Sequence, residues 1–529
     1  MLANSKSQTE NNKQKVESVI WAGLSLIILM IASRLILRGS GLEEHPSLFN
    51  IFLLSLFIII VSSSKKIFIF IVFPFFLIYA LYAPIGMNFG YPRYQHLVSL
   101  IATDFSEGAE FLGLIPLKYY LYAFLIPVLL ILFKWIQLRK NINFLHNKVF
   151  MFLSGVLIFW NLIPFSFFHK TYSEIKLVRN ELAKLEEFSN KNDWGTSILD
   201  NSKYDDYVLI IGESARADYH NAYGYPINNT PFMSTTNGVL VKGLLAAGGY
   251  TIGSLKLMLT KPTTSNNWKD NKENYNLNLI DLVNSAGLKT YWFSNQGFLG
   301  EWDTPITSIA NKSNTKFFLN SKDSFQGGTS DFDLLPIFKQ TINDKTKNKR
   351  FIVLHIYGSH PNTCDRVKDY KLIIPNEKVN DKYKSVNCYV SSIAKTDDFI
   401  EKVVKILRDN QKDNNRTFSL VYFSDHGLIH KEMEGKIVMN NNPGPKGIGY
   451  LTIPLLKIAS DDSDRKVVSA FKSGLNFTNG IANWIGIKNT KLDSSIDLFS
   501  DKDDLSDYGQ RRNLSNIKEM PPIDIRINQ

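Results

Sequence analysis

Long uncharged runs crowd the first third of the 529-residue chain and constrain its fold more than any other feature. A helix needs about 20 mostly apolar residues to cross a bilayer. Five runs rich in Phe, Ile and Leu approach that length, at residues 19–37, 47–64, 67–84, 119–133 and 149–168. One such run could be a buried core helix, but five so close together predict a helical transmembrane domain over residues 1–168.

The basic residues between the runs predict their orientation, because short loops rich in Lys and Arg stay in the cytoplasm. With the N-terminus inside, the cytoplasmic flanks hold nine Lys or Arg residues, whereas the outer loops hold only Arg38, Arg93 and Lys118. An odd number of spans places everything after residue 168 outside the cytoplasm. No small-residue cleavage site follows the first run, so we expect an uncleaved anchor.

This exported location changes how the cysteines and the charge are interpreted. Cys364 and Cys388 are the two cysteines of the chain, and an oxidising compartment favours a disulfide between them over two free buried thiols. A formal charge of +11 would suggest nucleic acid in a cytosolic protein. Outside the cytoplasm we expect no nucleic acid, and anionic lipid or glycolipid is the expected partner.

Two further segments flank the spans. Residues 85–118 lie on the outer side, are half apolar and carry acidic residues, so they are more than a connector, although an interfacial helix packed on the bilayer is the alternative. Residues 169–203 predict an amphipathic bridging helix and a linker, because apolar residues recur there at helical spacing: Ile175, Val178, Leu182 and Leu185.

From residue 204 to residue 529 the pattern changes to short β-branched and aromatic runs separated by helical stretches, which is typical of an α/β domain. Four runs stand out: YVLII (207–211), TYWF (290–293), FIVLHI (351–356) and FSLVYF (418–423). Because they are continuously apolar, we expect parallel strands covered by helices on both faces.

Polar residues follow these runs where a parallel sheet would bring them together. Glu213 follows the first run, His360 the third, and Asp425 with His426 the fourth, while Asn295 follows the second. Each alone is an ordinary turn former or cap. Together they predict a metal site beyond the carboxyl ends of the strands, where α/β sheets bind ligands. Carboxylates with one imidazole suit zinc, and manganese or magnesium less well.

The stretch AAGGYTIGSLKLMLT supplies a candidate nucleophile. Thr251 precedes an apolar helical pattern and is expected to be its N-cap, which is a purely structural role. A hydroxyl at a helix N-terminus beside a cation is also well placed to ionise. From the spacing alone, the capping role is the simpler interpretation.

Four motifs, in order after the apolar runs, resemble one family. The motifs are GESARADYHNAYGYPINNTPFMS, YTIGSLKLMLT, LHIYGSH and YFSDHG. They are similar to motifs of the bacterial phosphoethanolamine transferases that modify lipopolysaccharide. These enzymes are membrane-anchored members of the alkaline phosphatase and sulfatase superfamily. The resemblance implies an alkaline phosphatase-like (sulfatase-like) α/β/α domain in the periplasm, anchored in the bacterial inner membrane. It implies a Zn²⁺ cofactor held by Glu213, Thr251, Asp425 and His426.

The resemblance also implies the reaction. Thr251 is the expected nucleophile, which takes phosphoethanolamine from phosphatidylethanolamine, releases diacylglycerol and passes the group to lipopolysaccharide, at an inner-core sugar or at lipid A. His360 falls at a position that contacts the phosphoryl group, and Thr103 and Glu107 at positions that contact the lipid donor. The further expected substrate contacts are Asn295, His355 and Lys446.

Some positions depart from the family pattern. The lipid A enzymes carry a His-Gly pair after the Asp-His motif, where this chain has MNNNPGPKGIGYLTIP, so Lys446 is only a candidate substitute for that histidine. Ser99 stands where many members have Asn. A phosphoglycerol transferase of the same superfamily and a non-catalytic metal-binding membrane protein remain alternatives. A sulfatase is disfavoured, because no Cys/Ser-x-Pro-x-Arg motif surrounds Thr251.

Overall fold

The fold is described from a computed structural model. The residues it describes are 2–62, 64–93, 96–97, 108, 112–113, 115–144, 154–155, 165–188, 191–296, 305–319, 330–433, 435–440, 448–511 and 520–528. They fall into two compact units, one that runs to Arg179 and one that begins at Asn180.

The first unit is helical. Its long helices are α1 (Leu2–Gly39), α2 (Leu48–Val61), α3 (Lys65–Phe89, with a π-helical turn at Phe68–Val72), α4 (Leu117–Arg139) and α5 (Ser166–Phe188). Among the described residues, three helices are long and apolar enough to cross a membrane: Val16–Gly39 within α1, all of α3, and α4. Apolar side chains such as Phe70, Leu81 and Phe124 point outward, more than two thirds exposed, as a lipid-facing surface requires.

The five predicted spans are therefore matched only in part. The run at 47–64 forms the 14-residue helix α2, whose ~21 Å length falls short of the ~30 Å hydrocarbon core. Its start and end are fixed by polar groups: Ser47 caps the first turn by accepting from the amide of Asn50, and Lys134 donates to the carbonyl of Ser62. Most of the run at 149–168 lies outside the described residues.

A helix is present where the bridging helix is predicted. It is α5, which begins three residues before the predicted start at residue 169. Val178 is buried, whereas Ile175 is 40% exposed, so only part of the predicted apolar stripe is covered. Of the outer-side segment 85–118, residues 94–95, 98–107, 109–111 and 114 lie outside the described residues.

The second unit is built on a mixed β-sheet. Its strands are β1 (Ile198–Leu199), β2 (Asp206–Gly212), β3 (Gly238–Leu245), β4 (Lys289–Ser294), β5 (Thr315–Phe318), β6 (Arg350–His355), β7 (Phe418–Ser424), β8 (Ile429–Met433), β9 (Lys436–Asn440), β10 (Leu455–Ala459), β11 (Arg465–Ser473) and β12 (Ile487–Lys488). Eight of them form the central sheet in the order β11-β3-β10-β7-β2-β6-β4-β5.

The four strands predicted from apolar runs are confirmed as β2, β4, β6 and β7. They are neighbours and run parallel, with β2 between β6 and β7. The sheet as a whole is mixed, because β10 runs antiparallel to both β3 and β7. The pairing of Ile211 with His355 and with Phe423 aligns the carboxyl ends of the three central strands.

Helices cover both faces of this sheet. They are α6 (Pro231–Thr235), α7 (Thr251–Met258), α8 (Leu279–Ser285), α9 (Pro305–Ala310), α10 (Leu335–Asn343), α11 (Lys384–Asn414) and α12 (Phe477–Ile485). Successive residues of β2 point to opposite faces of the sheet. Leu209 packs in the core shared with α7, α8 and α12, and Ile210 packs in the core shared with α10 and α11. Both residues are fully buried, which confirms the α/β/α layering.

Candidate metal and nucleophile site

Neighbouring strands bring three ligand-type side chains together. Glu213 directly follows β2, Asp425 and His426 directly follow β7, and Gly212 pairs with Ser424 at the shared strand end. All three side chains are at most 1% exposed. Their ligand atoms lie within 4.8 Å of one another, a spacing that suits one metal ion. The predicted convergence of Glu213, Asp425 and His426 is thus seen in the structure.

Thr251 completes this cluster. Its hydroxyl donates to Glu213 Oε2 at 3.1 Å and lies 3.4 Å from His426 Nε2. Thr251 is half-buried, whereas the three other side chains are buried. One turn further along α7, the hydroxyl of Ser254 donates to the carbonyl of Asp425 at 2.7 Å. This bond fixes α7 against the loop that carries the ligands.

The expectation that Thr251 is an N-cap is wrong. The N-cap of α7 is Tyr250, in an extended conformation and without a side-chain capping bond, and Thr251 is the first helical residue. The physical reason is competition: the threonine hydroxyl is oriented toward the Glu213 carboxylate, so it cannot turn back to the helix amides. Its function at this position is therefore not capping.

The charges of the cluster favour a bound cation. Burial opposes the charged imidazolium, but the charges of Asp425 and Glu213 raise the pKa of His426 to about 9. Burial and the nearby charge of Glu213 raise the pKa of Asp425 well above its ordinary value. Asp425 Oδ2 is buried, lies 3.4 Å from His426 Nε2 and makes no hydrogen bond to the described residues. Two buried carboxylates fit a metal ion, because a positive charge there satisfies both.

The His360 loop lies directly against the ligand loop. The amide of Ser359 donates to the carbonyl of Glu213 at 3.0 Å. His360 is half-buried, its ring stacks on Tyr357 with centroids 4.7 Å apart, and its Nδ1 makes no hydrogen bond within the part of the chain that the structure describes. Burial lowers the pKa of His360 to about 4 although Glu213 opposes this, so the ring is neutral near pH 7.

Of the other predicted substrate contacts, the structure describes His355 and Asn295. His355 is buried at the end of β6, and its Nε2 has no hydrogen-bond partner among the described residues. The Asn295 amide donates to Asp331 Oδ1 at 2.7 Å, which is a structural use of that side chain. Thr103, Glu107 and Lys446 lie outside the described residues.

Two residues at the site were missed by the sequence analysis. Gln296 Nε2 donates to Glu213 Oε2 at 3.3 Å, and Ser214 Oγ donates to Glu213 Oε1 at 2.6 Å. Both immediately follow a residue that the strand-end argument selected. The sequence therefore offered one signal for these two residues, their position next to a selected strand-end residue. An amide or a serine side chain does not by itself indicate a partner of a metal ligand.

The predicted disulfide between Cys364 and Cys388 is confirmed. It joins the loop that follows His360 to the first turns of α11. Cys388 is buried and Cys364 is exposed. The bond therefore restrains a loop that borders the candidate site.

Comparison with known proteins identifies the family of the chain and several relatives. Residues 205–487 match the sulfatase family. A Haemophilus influenzae protein named "Putative phosphoethanolamine transferase" is 47% identical over 427 residues, which cover 80% of this chain and 87% of that protein. The Escherichia coli phosphoethanolamine transferase OpgE is 31% identical over 452 residues, 80% of this chain and 81% of that enzyme.

A solved structure shows the same fold. The integral membrane lipooligosaccharide phosphoethanolamine transferase A of Neisseria meningitidis aligns with 89% of this chain and 96% of its own, with a TM-score of 0.58 and 18% identity. That likeness concerns the fold, whereas the sequence relatives and the family match identify the group. The chain belongs to the sulfatase family, among the relatives named phosphoethanolamine transferases.

Proposed function

We propose that this chain transfers phosphoethanolamine from phosphatidylethanolamine to lipopolysaccharide through a covalent intermediate on Thr251. The observation that carries the proposal is the hydroxyl of the half-buried Thr251, which donates to a buried carboxylate within the Glu213, Asp425 and His426 cluster. The names of the sequence relatives supply the transferred group.

The apolar helices of the first unit support a lipid donor. The described part of the chain holds three candidate membrane spans, which would keep the protein where phospholipids are concentrated, so its donor need not leave the bilayer. We place the chain in the inner membrane as a multi-pass protein, with its transmembrane domain at residues 1–168 and its catalytic domain, residues 204–529, in the periplasm. Thr103 and Glu107 are the proposed donor-lipid contacts.

In the first step, the Thr251 oxygen forms a bond to the donor phosphorus, and the bond from phosphorus to the diacylglycerol oxygen breaks. The threonine loses its hydroxyl proton and the departing diacylglycerol gains one, so the step is balanced in protons. Zinc bound by Glu213, Asp425, His426 and Thr251 would supply a Lewis acid that lowers the pKa of the hydroxyl and stabilises charge on the phosphoryl oxygens. Ser254 and Ser214 keep Asp425 and Glu213 in place.

In the second step, a hydroxyl or phosphate of the acceptor displaces the group from Thr251 and frees the threonine. His360, whose loop lies against the Glu213 loop, or His355 is the proposed proton shuttle or hydrogen-bond donor to the phosphoryl group. His355, Asn295 and Lys446 are the remaining proposed substrate contacts. The acceptor is an inner-core sugar or lipid A.

The test uses the full chain in proteoliposomes with headgroup-labelled phosphatidylethanolamine and purified lipopolysaccharide. Label should move to lipopolysaccharide with the wild type, be absent with Thr251→Ala and persist at a reduced rate with Thr251→Ser, which keeps the oxygen. Thr235→Ala, an exposed threonine of α6, is the matched control and should match the wild type. Transfer from phosphatidylglycerol instead would establish the phosphoglycerol alternative, and transfer by Thr251→Ala would overturn the mechanism.

A further inference from the structure

The backbone turn that follows Glu213 adopts a conformation that serine disfavours. Ser214 has a φ of 60°, in the left-handed region, where a side chain with a Cβ is crowded. Such conformations persist only when the surrounding structure fixes them, and they concentrate at functional sites. The contacts that fix Ser214 therefore bear on the site itself.

Ser214 connects two members of the proposed metal centre. Its hydroxyl donates to Glu213 Oε1 at 2.6 Å, and its amide donates to Asp425 Oδ1 at 2.9 Å. Both bonds depend on the same backbone conformation. If Ser214 relaxed to negative φ, its amide and hydroxyl would turn away from the two carboxylates.

The group that fixes this turn lies on α11. The Tyr389 hydroxyl donates to the carbonyl of Ser214 at 2.8 Å and accepts from the amide of Arg216 at 2.9 Å. Tyr389 is fully buried, and its ring packs edge-on against Tyr219 with centroids 5.2 Å apart. One immobilised oxygen thus holds both ends of the turn, and its hydrogen bonds go to backbone atoms.

We propose that Tyr389 is a positioning residue of the metal centre: by holding Ser214 in the left-handed conformation, it keeps Glu213 and Asp425 preorganised for the ion. The inference rests on the proposed function, because it assumes that this cluster binds a metal. Groups that orient ligands from outside the first layer typically change metal affinity by about 10-fold or more.

The chain offers a matched control in Tyr422 of β7. This tyrosine is also fully buried, but its hydroxyl has no hydrogen-bond partner among the described residues. Tyr389→Phe and Tyr422→Phe therefore remove the same atom from equally buried rings. Only the first removes bonds to the turn.

The experiment titrates zinc into the metal-stripped full chain in detergent, in competition with a chromophoric chelator. Tyr389→Phe should bind zinc about 10-fold more weakly than the wild type, and Tyr422→Phe should bind it equally. A purely structural role would lower the unfolding temperature of the metal-free protein and leave zinc affinity unchanged, and that result would overturn the proposal. If the wild type takes up no zinc, the metal centre itself fails, and the role of Tyr389 fails with it.

A second comparison tests the proposal with Tyr389 in place. Ser214→Gly and Ser214→Ala both lose the hydroxyl, but only glycine adopts φ of 60° without crowding. If the Tyr389 hydroxyl fixes the turn, the two variants should bind zinc with equal affinity. Markedly tighter binding by Ser214→Gly would show that the turn is not fixed before the metal binds, and it would overturn the proposal even if Tyr389→Phe failed to fold.

Discussion

Replacing Asp206 with asparagine is expected to destabilise the second unit without altering its metal centre. Asp206 begins β2, is fully buried and accepts four hydrogen bonds from two arginines. Arg350 donates to its two oxygens at 2.6 and 2.9 Å, and Arg416 at 2.8 and 3.0 Å. Arg350 is itself fully buried, so its charge depends on this carboxylate.

The magnitude follows from that dependence. Removing one partner of a buried ion pair costs about 3–5 kcal/mol, because the other charge is left without compensation. At about 2–4 °C per kcal/mol, the unfolding midpoint should fall by about 6–20 °C. The assay is thermal unfolding of the full chain in detergent, followed by circular dichroism.

The control is Asp464→Asn, which disrupts an exposed pair with Lys466 at 3.8 Å. Exposed pairs contribute about 0–1 kcal/mol, so this variant should shift the midpoint little. Zinc bound per folded chain should be unchanged in Asp206→Asn, because β2 separates Asp206 from the ligands by about 20 Å. An equal shift in the two variants would refute the reasoning.

Three further predictions concern metal, pH and the disulfide. Chelation should lower the unfolding midpoint of the wild type and zinc should restore it, whereas Asp425→Asn should show neither effect; an equal response of the variant to chelator and zinc would contradict the ligand assignment. Burial lowers the pKa of His220 to about 4 in the folded chain. The neutral ring therefore makes its full contribution to stability above about pH 6.5. This contribution, about 3 kcal/mol, is lost as the pH falls from about 6.5 toward 4. Unfolding midpoints measured between pH 7.5 and 4.5 should therefore fall less in His220→Gln than in the wild type, and parallel curves would refute this. Joint replacement of Cys364 and Cys388 by serine should cost about 3 kcal/mol for a loop of 24 residues, and a midpoint equal to that of the oxidised wild type would contradict it.

Much of the α/β unit was predictable because its four central strands are continuous apolar runs. Parallel pairing then required Glu213, Asp425 and His426 to converge, as they do. The remaining strands of the sheet were harder to predict from the sequence. Strand β11, for example, mixes charged and apolar residues, and much of its length is exposed or half-buried, so its sequence carries no continuous apolar run.

The features that escaped prediction depend on contacts between distant parts of the chain. The hydroxyl of Thr251 donates a hydrogen bond to Glu213 instead of capping its own helix. Capping rules consider only nearby residues, so they cannot predict this contact. The left-handed Ser214 and its contact with Tyr389 involve residues 175 positions apart. Likewise, apolar length alone predicted a span at 47–64, whereas serines and a lysine from α4 define a shorter helix.

The central claim, that Thr251 carries the transferred group, is tested most directly by peptide mass spectrometry of the full chain. The protein is incubated with phosphatidylethanolamine in micelles without acceptor, digested and mapped. We expect a phosphoethanolamine adduct on the peptide that contains Thr251. The adduct should be absent in Thr251→Ala and should be lost from the wild type when lipopolysaccharide is added. An adduct on another residue, or none in a preparation that is active once acceptor is supplied, would contradict it.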